Sequence, residues 1–274
     1  MHTYIEVERG VKVYVEEVGH GRPVLFIHGW PINHKMYEYQ INMLPQYGYR
    51  CIRMDLRGFG KSDAPWQSYN YNRMADDIRV VVDALRLNNA TLVGFSMGGP
   101  IAIRYVTRHG AHGMRSLILA AAAAPIFTQR PDYPYGMTKE EVDGFIAATY
   151  ADRPKMVTDF GNMFFATAVS EPFRNWFNGL GFEASSIGTI RGLEALRDED
   201  LRGDLPYVQL PTTILHGKLD KICPYPFAEI QHRGIRSSNL IPFEKSGHGL
   251  FYDELQKFNL ELLRALHSVP ARPY

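Results

Sequence analysis

The stretch Thr91 to Gly99, reading T-L-V-G-F-S-M-G-G, constrains this chain more than any other. An apolar β-type run, Thr91-Leu92-Val93, enters Gly94-Phe95-Ser96-Met97-Gly98, a G-x-S-x-G pattern. A helix-like run with Ile101, Ala102, Tyr105 and Val106 leaves it. A serine at the apex of a sharp strand-to-helix turn sits in a sparsely populated backbone conformation. Side chains two residues to either side would collide, so Gly94 and Gly98 keep both flanks empty. The turn lifts the Ser96 hydroxyl clear of a sheet and leaves the Met97 N–H at a helix N-terminus, where an oxyanion is stabilised. Two glycines around a serine also occur in plain loops; the strand before and the helix after set this one apart.

The rest of the chain supplies the sheet. Residues 4–18 alternate, with Val11, Val13 and Val15 on one face, and predict a two-stranded start that turns at Arg9-Gly10. Val24 to Ile27 is a continuous apolar run of the kind buried on both faces. It ends in His28-Gly29-Trp30-Pro31. Residues 34–47 read as helix and Arg50 to Asp55 as a strand. Met74, Ile78, Val81, Val82 and Leu85 form one helical stripe, whose Asp76 and Asp77 read as solvated or dipole-complementing charges. Ser116 to Ala120 is a further strand. This alternation implies a parallel sheet flanked by helices.

The rhythm stops from 125 to 205. Prolines and aromatics crowd that span, with helix-like stretches near 138–150, 153–167, 171–180 and 189–197. An insertion of short helices between sheet strands reads as a cap over an α/β site, which leaves 1–124 and 206–274 as the core domain. Strands resume at Thr212 to His216 and Asn239 to Phe243, with a helix near 225–233 between them. A closing helix carries Leu255, Phe258, Leu262, Leu263 and Leu266 on one stripe. The tail from Pro270 to Tyr274 reads as frayed.

A serine hydroxyl is a poor nucleophile at neutral pH and needs a base, usually a histidine oriented by a carboxylate. Ser96, Asp220 and His248 each follow a predicted strand, and in an open parallel sheet those C-terminal ends share one edge. Asp55 also ends a strand, but it precedes the serine and breaks the order Ser, Asp, His. His216 reads as structural. The second oxyanion donor is expected from the loop after strand 24–27, as the Trp30 N–H beside that of Met97. Pro31 stiffens that loop, and His28 reads as the hydrogen-bonding residue that holds it.

Composition excludes other classes. A net charge of +1 gives no electrostatic case for nucleic acid or an anionic membrane. Two cysteines, Cys51 and Cys223, are too few for a disulfide framework and read as buried thiols. No metal-ligand spacing, phosphate loop or dinucleotide fingerprint is present, so no cofactor and no metal are expected. No basic stretch leads into an apolar one at the N-terminus, and no apolar run is long enough to span a bilayer. The expectation is a soluble cytoplasmic protein.

Six segments together carry a resemblance: Phe26-Ile27-His28-Gly29-Trp30, Met54 to Asp63, Gly94 to Gly99, Arg104-Tyr105 with Arg108-His109-Gly110, Pro131 to Pro134, and Ser246 to Gly249. The chain resembles the cofactor-free bacterial haloperoxidases and aryl esterases of the α/β-hydrolase superfamily. That resemblance implies an α/β-hydrolase fold, with an eight-stranded, mostly parallel sheet, flanking helices and a small helical cap. It implies a serine carboxylesterase acting on short-chain or aryl esters through an acyl-enzyme. Perhydrolysis follows when hydrogen peroxide takes up the acyl group, an activity that in this family goes with a proline at the position of Pro31. Family acyl pockets map onto Trp30, Pro31, Phe127, Phe160 and Phe164. Homo-oligomers are common in the family. A lactonase or amidase would use the same residues, and a ligand receptor on a hydrolase scaffold would retain them without turnover. The elbow serine excludes relatives with an aspartate nucleophile.

Overall fold

The computed structural model describes residues 1–268; the expected frayed tail lies outside them. Eight strands form one sheet: β1 (His2–Glu8), β2 (Val11–Val18), β3 (Arg22–Ile27), β4 (Tyr49–Met54), β5 (Ala90–Phe95), β6 (Met114–Ala120), β7 (Thr212–Gly217) and β8 (Ser238–Phe243). Their spatial order is 1-2-4-3-5-6-7-8. β2 pairs antiparallel with both β1 and β4, and every pairing from β4 onward is parallel. The apolar runs explain the centre. β5 and β6 are buried at every residue, as strands covered by helices on both faces must be.

The helices are α1 (Glu38–Ile41), α2 (Tyr71–Ala84), α3 (Gly98–Arg108), α4 (Lys139–Gly161), α5 (Glu171–Phe182), α6 (Ser186–Asp198), α7 (Pro226–Gly234), α8 (Leu250–Asp253) and α9 (Leu255–Ser268). On α2 the predicted stripe is buried at Met74, Ile78, Val81 and Val82, and the Asn70 side chain caps its first turn by accepting from the Arg73 N–H. The helix expected over 34–47 is instead broken: 3-10 turns at His34–Tyr37 and Leu44–Tyr47 flank the four-residue α1. Pro45 lies in the second turn and Gly48 ends it at φ 77°, so no continuous α-ladder forms.

Asp77 departs from its expected place on a solvated face. It is 1% exposed and grips Arg57, itself 0% exposed, through Nε at 2.6 Å and Nη2 at 2.7 Å. Asp76 pairs with Arg108 at 2.7 Å and His109 at 2.9 Å. Both acids therefore tie α2 to other segments. Cys51 and Cys223 are buried free thiols.

Between β6 and β7 the chain adds α4, α5 and α6 and no strand of the sheet. Thr138 and Glu141 form a reciprocal capping box at the start of α4. The helix breaks at Asp152 (φ −156°, ψ 82°), whose carboxylate accepts the Lys155 N–H at 3.0 Å and restarts it past Pro154. α4 ends at Gly161, so the expected continuation to 167 is loop. No helix among the described residues is long and apolar enough to cross a membrane.

Candidate active site

The strand-to-helix turn after β5 carries the strain its glycines were expected to permit. Ser96 sits at φ 51°, a left-handed conformation that costs a non-glycine residue roughly 1–3 kcal/mol. A Cβ on Gly94 would come 2.5 Å from the Gly98 carbonyl oxygen, and one on Gly98 would come 2.6 Å from that of His28. The turn is therefore pressed against itself and against the loop after β3. That contact sets Gly29 beside the serine: a Cβ there would lie 2.7 Å from Ser96 Cβ.

The loops after β7 and β8 bring an acid and a base together. His248 Nδ1 is 2.8 Å from Asp220 Oδ2, with both side chains buried. Asp220 Oδ1 accepts the N–H groups of Ile222 and Cys223, each at 2.8 Å. With one oxygen held by the backbone, the other is aimed at the imidazole. His216 also belongs here. It is buried, its Nε2 is 2.7 Å from the Cys223 carbonyl oxygen and 3.5 Å from Asp220 Oδ2, and burial lowers its pKa. A neutral ring donates its Nε2–H to that carbonyl and lies beside the acid. Its position at the end of β7, four residues before Asp220, was the available signal. Asp55 is engaged elsewhere: it takes the side chain and N–H of His34, at 2.7 and 2.8 Å, and the N–H of Lys61.

His248 Nε2 is buried and has no hydrogen-bond partner among the described residues, and Ser96 Oγ does not bond to it here. The His248 ring stands 4.9 Å from the ring of Phe95, the residue before Ser96, and 4.9 Å from that of Phe164.

His28 acts on the loop that faces Ser96. Its Nε2 accepts the Leu56 N–H at 3.0 Å, so Nδ1 carries the proton and donates to the Gly29 carbonyl at 2.8 Å. The Gly29 carbonyl and the Trp30 N–H share one planar peptide, so fixing the first fixes the direction of the second. The N–H groups of Trp30 and Met97 have no protein acceptor among the described residues. Burial lowers the His28 pKa from 6.5 to about 4. Between those values the unfolded chain binds a proton that the native state refuses, so stability is complete above about 6.5 and falls as pH drops toward 4. The loss is on the order of 3 kcal/mol. His28→Asn is expected to flatten that portion of the acid limb in urea titrations; an unchanged slope would assign the acid sensitivity to other groups.

A narrow apolar cavity lies at Ser96, walled by Trp30, Phe127, Phe145, Phe160, Leu193 and Ile222. Of the residues expected to form the acyl pocket, Trp30, Phe127 and Phe160 line this cavity, while Pro31 and Phe164 line a second narrow cavity that also meets Phe160. Sequence reasoning missed Leu193 and Ile222, although Ile222 sits two residues past Asp220. The Trp30 indole N–H donates to the Thr189 carbonyl at 2.9 Å, which seats α6 over the loop. A larger groove of about 640 Å³, lined by Gln67, Tyr69, Arg191, Glu194, Asp198 and Asp200 among others, is charged and open and holds no nucleophile beside a histidine. Among the described residues no three His, Cys, Asp or Glu side chains converge as metal ligands.

Residues 22–148 match the model of the alpha/beta hydrolase fold. The chain is 54% identical to the AB hydrolase superfamily protein YisY of Bacillus subtilis, over 94% of this chain and 97% of that protein. It is 32% identical to the non-heme chloroperoxidase CPO-A1 of Kitasatospora aureofaciens, over 94% and 97%. An esterase structure from Exiguobacterium antarcticum superposes with a TM-score of 0.95 at 53% identity, covering 96% of this chain and 98% of that one. The turn at Ser96, the parallel sheet and these likenesses together place the chain in the α/β-hydrolase family, alongside relatives named as esterases and non-heme haloperoxidases.

Proposed function

We propose that the protein is a serine carboxylesterase for short-chain or aryl esters, with perhydrolysis as a second outcome of the same acyl-enzyme. The observation that carries this is Ser96, strained at the mouth of an apolar cavity, with the Asp220-oriented His248 packed against the residue before it. Ser96 attacks the ester carbonyl while His248 Nε2 takes its proton, and Asp220 holds the tautomer in which Nε2 is free. The N–H groups of Trp30 and Met97 receive the oxyanion, a contribution worth about 10²–10³ in turnover per donor. His248 then protonates the leaving alcohol, and water or hydrogen peroxide attacks the acyl group. Attack by water gives the acid; attack by peroxide gives the peracid.

The helices of 125–205 act in this reading as a cap. Phe145 and Phe160 of α4 and Leu193 of α6 wall the cavity at Ser96, so the inserted helices select the acyl group. The apolar lining supports short, uncharged acyl groups over charged ones, because no basic side chain faces the cavity to pair a carboxylate.

Hydrolysis of p-nitrophenyl acetate, measured with and without hydrogen peroxide, tests the proposal. The expected result is ester turnover, with peracid formed once peroxide is added. Ester turnover without peracid leaves the esterase and removes the perhydrolase. No turnover on aryl esters, with turnover of lactones or amides, reassigns the substrate.

A further inference from the structure

One carboxylate joins the loop of His248 to the segment that follows α4. Asp253, the last residue of α8, accepts the Gly247 N–H at 2.8 Å and the Ala166 N–H at 3.0 Å on Oδ2. On Oδ1 it accepts the Thr167 N–H at 3.0 Å and the Thr167 hydroxyl at 2.6 Å. On the other side of the histidine, the Gly249 N–H donates to the Phe164 carbonyl at 2.7 Å. Gly249 is thus tied to Phe164 directly, and Gly247 is linked to Ala166 and Thr167 through the Asp253 carboxylate. The approach is close: a Cβ on Gly247 would lie 2.9 Å from the Phe164 carbonyl oxygen.

Other core contacts hold the same loop at residues farther from the histidine. Glu254 accepts the Lys245 N–H at 3.0 Å and the Ser246 hydroxyl at 2.7 Å, and the Leu219 N–H donates to the Ser246 carbonyl at 3.0 Å. Neither contact reaches Gly247 or Gly249. When segment 164–167 lifts, the Gly249 N–H loses its acceptor, and the Asp253 carboxylate loses the Ala166 and Thr167 donors that fix its orientation toward the Gly247 N–H.

We propose that Asp253 is a positioning residue for His248, which is set for proton transfer only while segment 164–167 is docked. This rests on reading His248 as the base. The coupling makes movement of the cap a switch on the histidine as well as a path for substrate. A displacement of the imidazole by one ångström costs a positioned proton transfer about 10²-fold.

The test compares wild type, Asp253→Ala, Asp253→Asn and Thr167→Val. It uses steady-state hydrolysis of an aryl acetate well below each Tm, and hydrogen exchange at 164–167 and 245–249. Asp253→Ala is expected to lose about 10- to 100-fold in kcat with little change in KM, and exchange is expected to quicken in both segments together. Asp253→Asn keeps one acceptor oxygen and falls between. Thr167→Val removes a single donor from the cap side and is expected to give a smaller loss of kcat, with faster exchange at 245–249, a segment it does not touch. It also stands in should Asp253→Ala fail to fold. A lower Tm with unchanged kcat, or exchange quickening in one segment alone, overturns the inference. Full turnover in Ser96→Ala would instead overturn the reading of the site; turnover that depends on Ser96 but ignores Asp253 overturns the coupling alone.

Discussion

Ser96→Ala is expected to lower kcat/KM on an aryl acetate by about 10⁴- to 10⁶-fold, with the fold intact. On the proposed mechanism the loss is large because the substitution removes the nucleophile, and among the described residues no second nucleophile lines the cavity. Cys223, the nearest other candidate by sequence to Asp220, is fully buried, and burial raises its pKa well above the usual thiol range. His248→Ala is expected to cost a similar factor, and the double variant little more than either, because the residues act as one unit. Removing the side chain also leaves the backbone strain at φ 51° in place, so Ser96→Ala has no reason to lose stability. Single-turnover kinetics with p-nitrophenyl acetate provide the check. A normal burst of nitrophenol from Ser96→Ala would remove the serine from the mechanism.

The elbow was legible because its constraint is local: two glycines, a serine and the runs on either side carry the strain and the strand in nine residues. The strand ends at 220 and 248 were legible for a related reason, since continuous apolar runs mark buried strands and a parallel sheet gathers their C-terminal ends. What escaped the sequence depends on partners far along the chain. Asp77 sits two turns into an amphipathic helix and looks like a surface charge until Arg57, twenty residues earlier in a loop, is seen to be buried against it. Asp253 looks like an acid in a terminal helix until residues 166 and 167 arrive on it. The division of the apolar space by Phe160 into two cavities was equally out of reach, because periodicity shows which rings are buried and not which side of them faces the serine. The short helix at 38–41 escaped for a smaller reason. Its apolar spacing is helical, and only the turn chemistry of Asn33, Pro45 and Gly48 breaks it.

Asp77→Ala is expected to be the most destabilising surface-to-core misjudgement in the chain, costing about 3–5 kcal/mol. The wild-type carboxylate grips the Arg57 guanidinium with both oxygens and takes Nε and Nη2 of Arg73 on one of them. Glu8 at 3.0 Å and the Ser68 carbonyl at 3.1 Å meet Arg57 on one nitrogen only. Truncation therefore leaves the buried guanidinium with Nε and Nη2 unpaired and only the partly exposed Glu8 to balance its charge, and unpaired buried donors cost more than the pair contributes. For a chain of this size that corresponds to a fall in Tm of roughly 2–4 °C per kcal/mol. The control is Asp77→Leu with Arg57→Met. Replacing both charges by apolar groups of similar volume removes the orphan and is expected to recover most of the loss. Urea unfolding of the wild type, the single and the double variant decides between these accounts. A single variant within about 1 kcal/mol of wild type would mean that Arg57 finds solvent or Glu8 without cost. Recovery in the double variant would show that the penalty lies in the unpaired charge, and that the bidentate pair fixes where the loop after β4 meets α2.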